Sequence, residues 1–199
     1  MSVEDQILKM IRDNKRGKIY FPANFSKIGG SNAIHQALGR LEEKEYIIRL
    51  ANGIYLYPKV DKEFGVLYPP IDEIAIAIAK RDKARIIPTG VQALNKLGLS
   101  TQVPMKVVYL TDGAQRSIRI GNQTIKFKKV TPKNLAAKGE ISGLVIQALR
   151  EIGNTKVNTK EKMRIIEFLQ KENPDYVKYD ARLAPAWISD IMLAAIKIK

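Results

Sequence analysis

Five side chains within ten positions, Ser31, Asn32, His35, Gln36 and Arg40, carry hydrogen-bond donors and acceptors and fall on one stripe if the segment is helical. The carboxamides of Asn32 and Gln36 are shaped to pair in two-point fashion with an adenine edge, and the Arg40 guanidinium with a guanine edge. Ser31 and His35 add single contacts. Nearby cations, Lys15, Arg16, Lys18, Lys27 and Arg49, are of the kind that holds phosphates without reading bases. A second basic group, Arg116, Arg119, Lys126, Lys128 and Lys129, lies on adjacent predicted strands and could form one positive sheet face: Arg119 alternates with Ile118 and Ile120, and Lys126 and Lys128 with Ile125 and Phe127, as a half-buried sheet would.

No catalytic residue is expected, and the chain is read as not an enzyme. The chain has no Gly-rich phosphate loop of P-loop or dinucleotide type, no G-x-S-x-G and no H-E-x-x-H, and the acid pairs Glu42-Glu43 and Asp72-Glu73 read as helix-surface charge. No cofactor or metal is expected. With no cysteine there are neither disulfides nor thiolate ligands, and one histidine is too few for a zinc hydrolase. The amino terminus is acidic and amphipathic and no apolar run approaches the length of a membrane span, so a soluble, cytoplasmic protein is expected.

The formal net charge of +14 favours polyanionic partners whatever the fold. Its location is uneven: between Lys80 and Lys138, 13 Lys and Arg stand against only Asp82 and Asp112, so this stretch carries +11 of the total. Stacking aromatics are sparse there, with only Tyr109 and Phe127 near, which ranks duplex DNA or an acidic protein above single-stranded RNA.

The elements that would position these groups follow from periodicity. Residues 3–14 place Val3, Ile7, Met10 and Ile11 on one helical face, with Ser2 as the cap. Ile19-Tyr20-Phe21 is strand-like and stops at Pro22. From Ser31, which is placed to cap, Ile34, Ala37, Leu38 and Leu41 define an amphipathic helix. Two short apolar runs then flank Asn52-Gly53, the dipeptide of type I′ hairpins. Helix, strand, short helix, capped helix and tight hairpin, in that order, predict a winged helix-turn-helix over residues 1–60, with the stripe in the major groove. A linker over 61–69, ending in Pro69-Pro70, leads to a mixed domain over 70–199. There the pattern predicts a helix from Ile71, a strand at Ala84–Pro88, and a helix from Val91 capped by Thr89 and Gln92. A three-stranded antiparallel meander over 103–130 and helices over 142–152, 159–171 and 184–197 complete it. The fold class is therefore α+β, a winged helix-turn-helix followed by a larger domain with a small antiparallel sheet and carboxy-terminal helices.

Two stretches, SNAIHQALGRLEEKEYIIRLANGIYLYPK and PTGVQALNKLGLSTQVPMKVVYLTDGAQRSIRIGNQTIKFKK, resemble the AbiEi-type antitoxins of type IV toxin-antitoxin systems. With the spacing between them they span about residues 10–135. The resemblance implies a bacterial transcriptional regulator that represses its own operon through the amino-terminal domain. It also implies a carboxy-terminal domain that counteracts a nucleotidyltransferase-like toxin, by touching the toxin or its RNA target. Glu42, Glu43 and Glu45 depart from the family's basic character. An alternative is a stand-alone regulator whose second domain binds an effector or a protein. Oligomeric state is not legible.

Overall fold

The computed structural model describes residues 1–102 and 104–197. Val103 of the expected meander and TQVP segment, and residues 198–199 at the end of the expected 70–199 domain, lie outside the described residues. The fold is mixed α+β, with eight α-helices and three small sheets among the described residues. The chain divides into two compact units: Met1–Arg81 with Arg119–Gly121, and Asp82–Ile118 with Asn122–Lys199.

In the first unit, α1 (Val3–Arg12) begins on a reciprocal cap. The Ser2 hydroxyl accepts the Asp5 N–H at 3.1 Å and the Asp5 carboxylate accepts the Ser2 N–H at 3.0 Å. Its inner face is Ile7 and Ile11; Met10, assigned to that face by periodicity, is 40 % exposed. Strand β1 (Ile19–Tyr20) gives way at Pro22 to a 3-10 turn, Pro22–Phe25, locked by the Phe21 N–H donating to Asn24 Oδ1 at 2.7 Å. Helix α2 (Ser31–Glu43) buries Ile34, Ala37, Leu38 and Leu41 against a core that includes Ile7, Ile11 and Phe25. Each of the larger side chains, Ile34, Leu38 and Leu41, stabilises the unit by about 1.5–3 kcal/mol through area removed from water. Ser31 does not cap: Gly30 holds the cap position, and Ser31 is the first helical residue.

Strands β2 (Ile48–Ala51) and β3 (Ile54–Leu56) form the expected hairpin in a sheet of order β1-β3-β2. Its turn is not type I′. Gly53 alone takes a positive φ, +69°, and the register shifts between Arg49 and Ala51, so a bulge shares the reversal. The expected linker is structured: β4 (Lys59–Asp61) and β5 (Gly65–Leu67) pair as a second hairpin, whose loop closes when Asp61 accepts the N–H groups of Glu63 and Phe64. Helix α3 (Ile71–Arg81) then belongs to the first unit, moving the boundary from 61–69 to Arg81.

The second unit contains β6 (Ile86–Pro88), α4 (Val91–Lys96), β7 (Lys106–Thr111), β9 (Gln123–Lys129) and the first three residues of β8 (Arg116–Ile120), whose last two group with the first unit. The meander is corrected. The sheet runs β6-β7-β9-β8, and β7 pairs with β9 in parallel, with Lys106 opposite Thr124 and Thr111 opposite Lys129. Thr89 also does not cap: Gly90, at φ +58°, precedes α4, and the Thr89 hydroxyl donates to the Val108 carbonyl at 3.1 Å. Helices α5 (Glu140–Ile152), α6 (Thr159–Leu169), α7 (Pro174–Ala181) and α8 (Ala186–Lys197) bury Val145, Leu149, Ile165, Val177, Ile188 and Met192 together with Ala93 of α4 and Leu97, which ends that helix. α7 was not expected; its start is set by Asn173, which caps it, and by Pro174 in its first turn.

Candidate nucleic-acid interface

The buried residues of α2 leave Ser31, Asn32, His35, Gln36 and Arg40 exposed. Asn32 and Gln36, one turn apart, are both exposed, and neither carboxamide makes a hydrogen bond among the described residues. His35 Nδ1 lies 2.8 Å from the Ser31 carbonyl oxygen and 3.4 Å from its hydroxyl, so the imidazole is held back along the helix.

Arg40 is engaged elsewhere. Its Nε donates to Glu4 Oε2 at 2.6 Å, and Lys44 Nζ donates to Glu4 Oε1 at 2.5 Å, bracing the end of α2 against α1. These cations hold the Glu4 carboxyl below the ordinary carboxylate range, the Lys44 bond contributing most. Glu42 accepts from Arg49, which also lies 5.4 Å from the Tyr55 ring centroid. The polar groups of the stripe not drawn into ion pairs therefore concentrate in the first turn and a half of the helix. Periodicity alone placed Arg40 with them; Glu4 and Lys44 were missed because their meeting depends on how α1 crosses α2.

The phosphate candidates divide similarly. Lys15 and Lys27 are exposed and make no ion pair or hydrogen bond among the described residues. Arg16 donates to the Pro58 carbonyl at 3.0 Å and lies 4.9 Å from the Tyr57 ring centroid. Lys18 donates to Asn14 Oδ1 at 2.6 Å and lies 5.3 Å from the Tyr20 ring centroid.

The five basic residues of β8 and β9 do not share one face. Arg116 forms an ion pair with Asp82, and its guanidinium lies 5.4 Å from the ring centroid of Phe127, itself buried. Arg119, three positions on, points to the opposite face, and its Nε donates to the Gly121 carbonyl. On β9, Lys126 and Lys128 alternate away from Ile125 and Phe127, whereas Lys129 has the parity of Phe127. The parallel register adds Lys106 to the face of Lys126 and Lys128, a neighbour visible only once strand order is known.

Among the described residues, no three His, Asp or Glu side chains gather as metal ligands, and no helix is long and apolar enough to cross a membrane.

The chain belongs to DUF6088, a family of unknown function, whose model matches residues 6–177. No curated protein matches it in sequence. Among solved structures it is similar to the RV2827C protein from Mycobacterium tuberculosis at 10% identity and a TM-score of 0.46, with 97% of this chain and 81% of that one covered. Likeness at that level carries no weight for function.

Proposed function

Starting from a family without an assigned activity, we propose that this chain is a DNA-binding transcriptional autorepressor whose first sixty residues act as a winged helix-turn-helix. α2 enters the major groove of its own promoter, and the β2–β3 hairpin serves as the wing. One observation carries the reading: Asn32 and Gln36 present two unpartnered carboxamides on adjacent turns, opposite the buried face of the same helix. A carboxamide left to water on a rigid helix is preorganised for an adenine edge. Lys15 and Lys27 supply phosphate contacts, and Ser31 and His35 stand beside the readers. Arg40 and Arg49 contact DNA only by leaving their carboxylates, an exchange with a small barrier because exposed ion pairs are worth little.

The second unit, on this reading, supplies antitoxin action against a nucleotidyltransferase-like toxin, a role that rests on the sequence resemblance described above.

The test is a fluorescence titration of the protein against its own upstream duplex and a scrambled duplex of equal length, at two salt concentrations. Preference for the upstream sequence that persists at the higher salt supports the reading, and each phosphate neutralised steepens the salt dependence by about 0.9 in log–log slope. Equal affinity for both duplexes overturns it. Co-expression with the product of a neighbouring nucleotidyltransferase gene tests the antitoxin role separately.

A further inference from the structure

In the first unit, a groove of about 500 Å³ runs between β1, the turn after it, and one face of α3. That volume is within the range of pockets that enclose small organic ligands, roughly 300–1,000 Å³. Its α3 wall is Glu73, Ala77, Lys80 and Arg81, which recur at helical spacing, and the small Ala77 side chain keeps the groove open. Lys18 lines it from the strand side, so three cations face one carboxylate. The Lys80 ammonium makes no hydrogen bond or ion pair among the described residues. At one wall the Arg81 guanidinium lies 4.6 Å from the centroid of the buried Phe21 ring. This gives the groove a flat, polarisable surface beside its positive charge. Burial also pulls the Arg81 pKa down, as expected of a cation withdrawn from water, and an arriving anion would relieve that penalty.

We propose that this groove binds a nucleoside monophosphate, its phosphate met by Lys18 and Lys80 and its base laid along the Arg81–Phe21 stack. The space exceeds what inorganic phosphate fills, and the pairing of a flat cation–aromatic wall with ammonium groups suits a planar base joined to an anion. Glu73 accepts from a ribose hydroxyl or an exocyclic amine. The inference does not depend on α2 reading DNA.

The experiment is isothermal titration of the full chain with AMP, GMP, CMP and UMP, with adenosine and inorganic phosphate as controls. Saturable binding of at least one monophosphate, with both controls weaker, is expected. Lys80→Glu should weaken it by about tenfold or more, the loss of one charge-assisted contact. Ala77→Phe should abolish it by filling the groove, and Lys62→Glu, outside the groove, should leave it unchanged. Circular dichroism and the unfolding transition report whether each variant keeps its fold, and the exposed Lys80 position tests the idea should Ala77→Phe unfold. Absence of saturable binding by all four nucleotides overturns the proposal, as does binding indifferent to Lys80→Glu. If free nucleotides stay unbound while Lys80→Glu weakens promoter and scrambled duplexes equally, the phosphate chemistry belongs to the DNA backbone and the nucleotide site is refuted.

Discussion

Helix α2 and the basic strands β8 and β9 hold polar groups under opposite rules. On α2 the buried and exposed stripes follow from one local period, so Asn32 and Gln36 stay free of their neighbours. On β8 and β9, partners distant in sequence decide which cations remain exposed: Asp82 takes Arg116, and pairing with β7 brings Lys106 to the face of Lys126 and Lys128. Residue type and period thus located the exposed polar stripe of a helix better than the surface of a sheet.

Four experiments bear on that contrast, in descending size of effect. Leu38 is fully buried beneath the α2 stripe, and Leu38→Ala should destabilise the first unit by about 2–5 kcal/mol in urea unfolding. A loss below about 1 kcal/mol would show that the stripe is not set by its own helix's packing. In the second unit, Asp180 is fully buried and accepts the Lys138 and Gly139 N–H groups at 2.8 Å each, fixing the start of α5 across 41 residues. Asp180→Ala should cost about 3 kcal/mol, because two donors lose a charged acceptor. Protection of the α5 amides from hydrogen exchange should fall, and an unaltered α5 would mean that the long-range tie is dispensable.

Next in size is the direct comparison of surfaces. Asn32→Ala and Gln36→Ala should each lower promoter affinity by about 1–3 kcal/mol and relax sequence preference. The Lys126→Glu, Lys128→Glu pair should change specific and scrambled duplexes alike, if at all. Sequence-dependent loss from the lysine pair would reverse the assignment. The smallest effect is the brace at Glu4. Its carboxyl is held below the ordinary range by Lys44 and Arg40, so its contribution to stability is present above the unfolded carboxyl pKa and is lost as pH falls through the folded one. Thermal unfolding of the wild type should therefore lose stability on acidification through that window, and Glu4→Gln should lose less.

Much of the fold was legible for a physical reason. Helices α1, α2, α3, α5 and α6 each carry a buried stripe within a single segment, and the Ser2 cap lies three residues from its partner Asp5. What failed was decided beyond the local window. Ser31 and Thr89 have capping chemistry, but Gly30 and Gly90 occupy the cap positions, and the Thr89 hydroxyl goes to Val108 on β7. Charged residues in Asp61–Gly65 suggested a linker, although Asp61 closes a tight loop with its own carboxylate. Strand order was misjudged because consecutive strands usually neighbour one another, and here β9 lies between β7 and β8. The candidate site followed the same division: the exposed amides were readable, and the capture of Arg40 by Glu4 was not.

That placement of β9 has a kinetic consequence. β8 and β9 are joined through Gly121 and Asn122 alone, so their contact is local, whereas the parallel ladder joins residues 18 positions apart, Lys106 to Thr124. Local closure involves the smaller loop entropy, and β-hairpins form within microseconds. The hairpin is therefore expected to form first and to dock onto β7 as a preformed piece, which would make the β7–β9 register the late event in folding of the sheet. Mutations at the Gly121 turn should slow refolding, while those at Val107 or Val108 should mainly hasten unfolding.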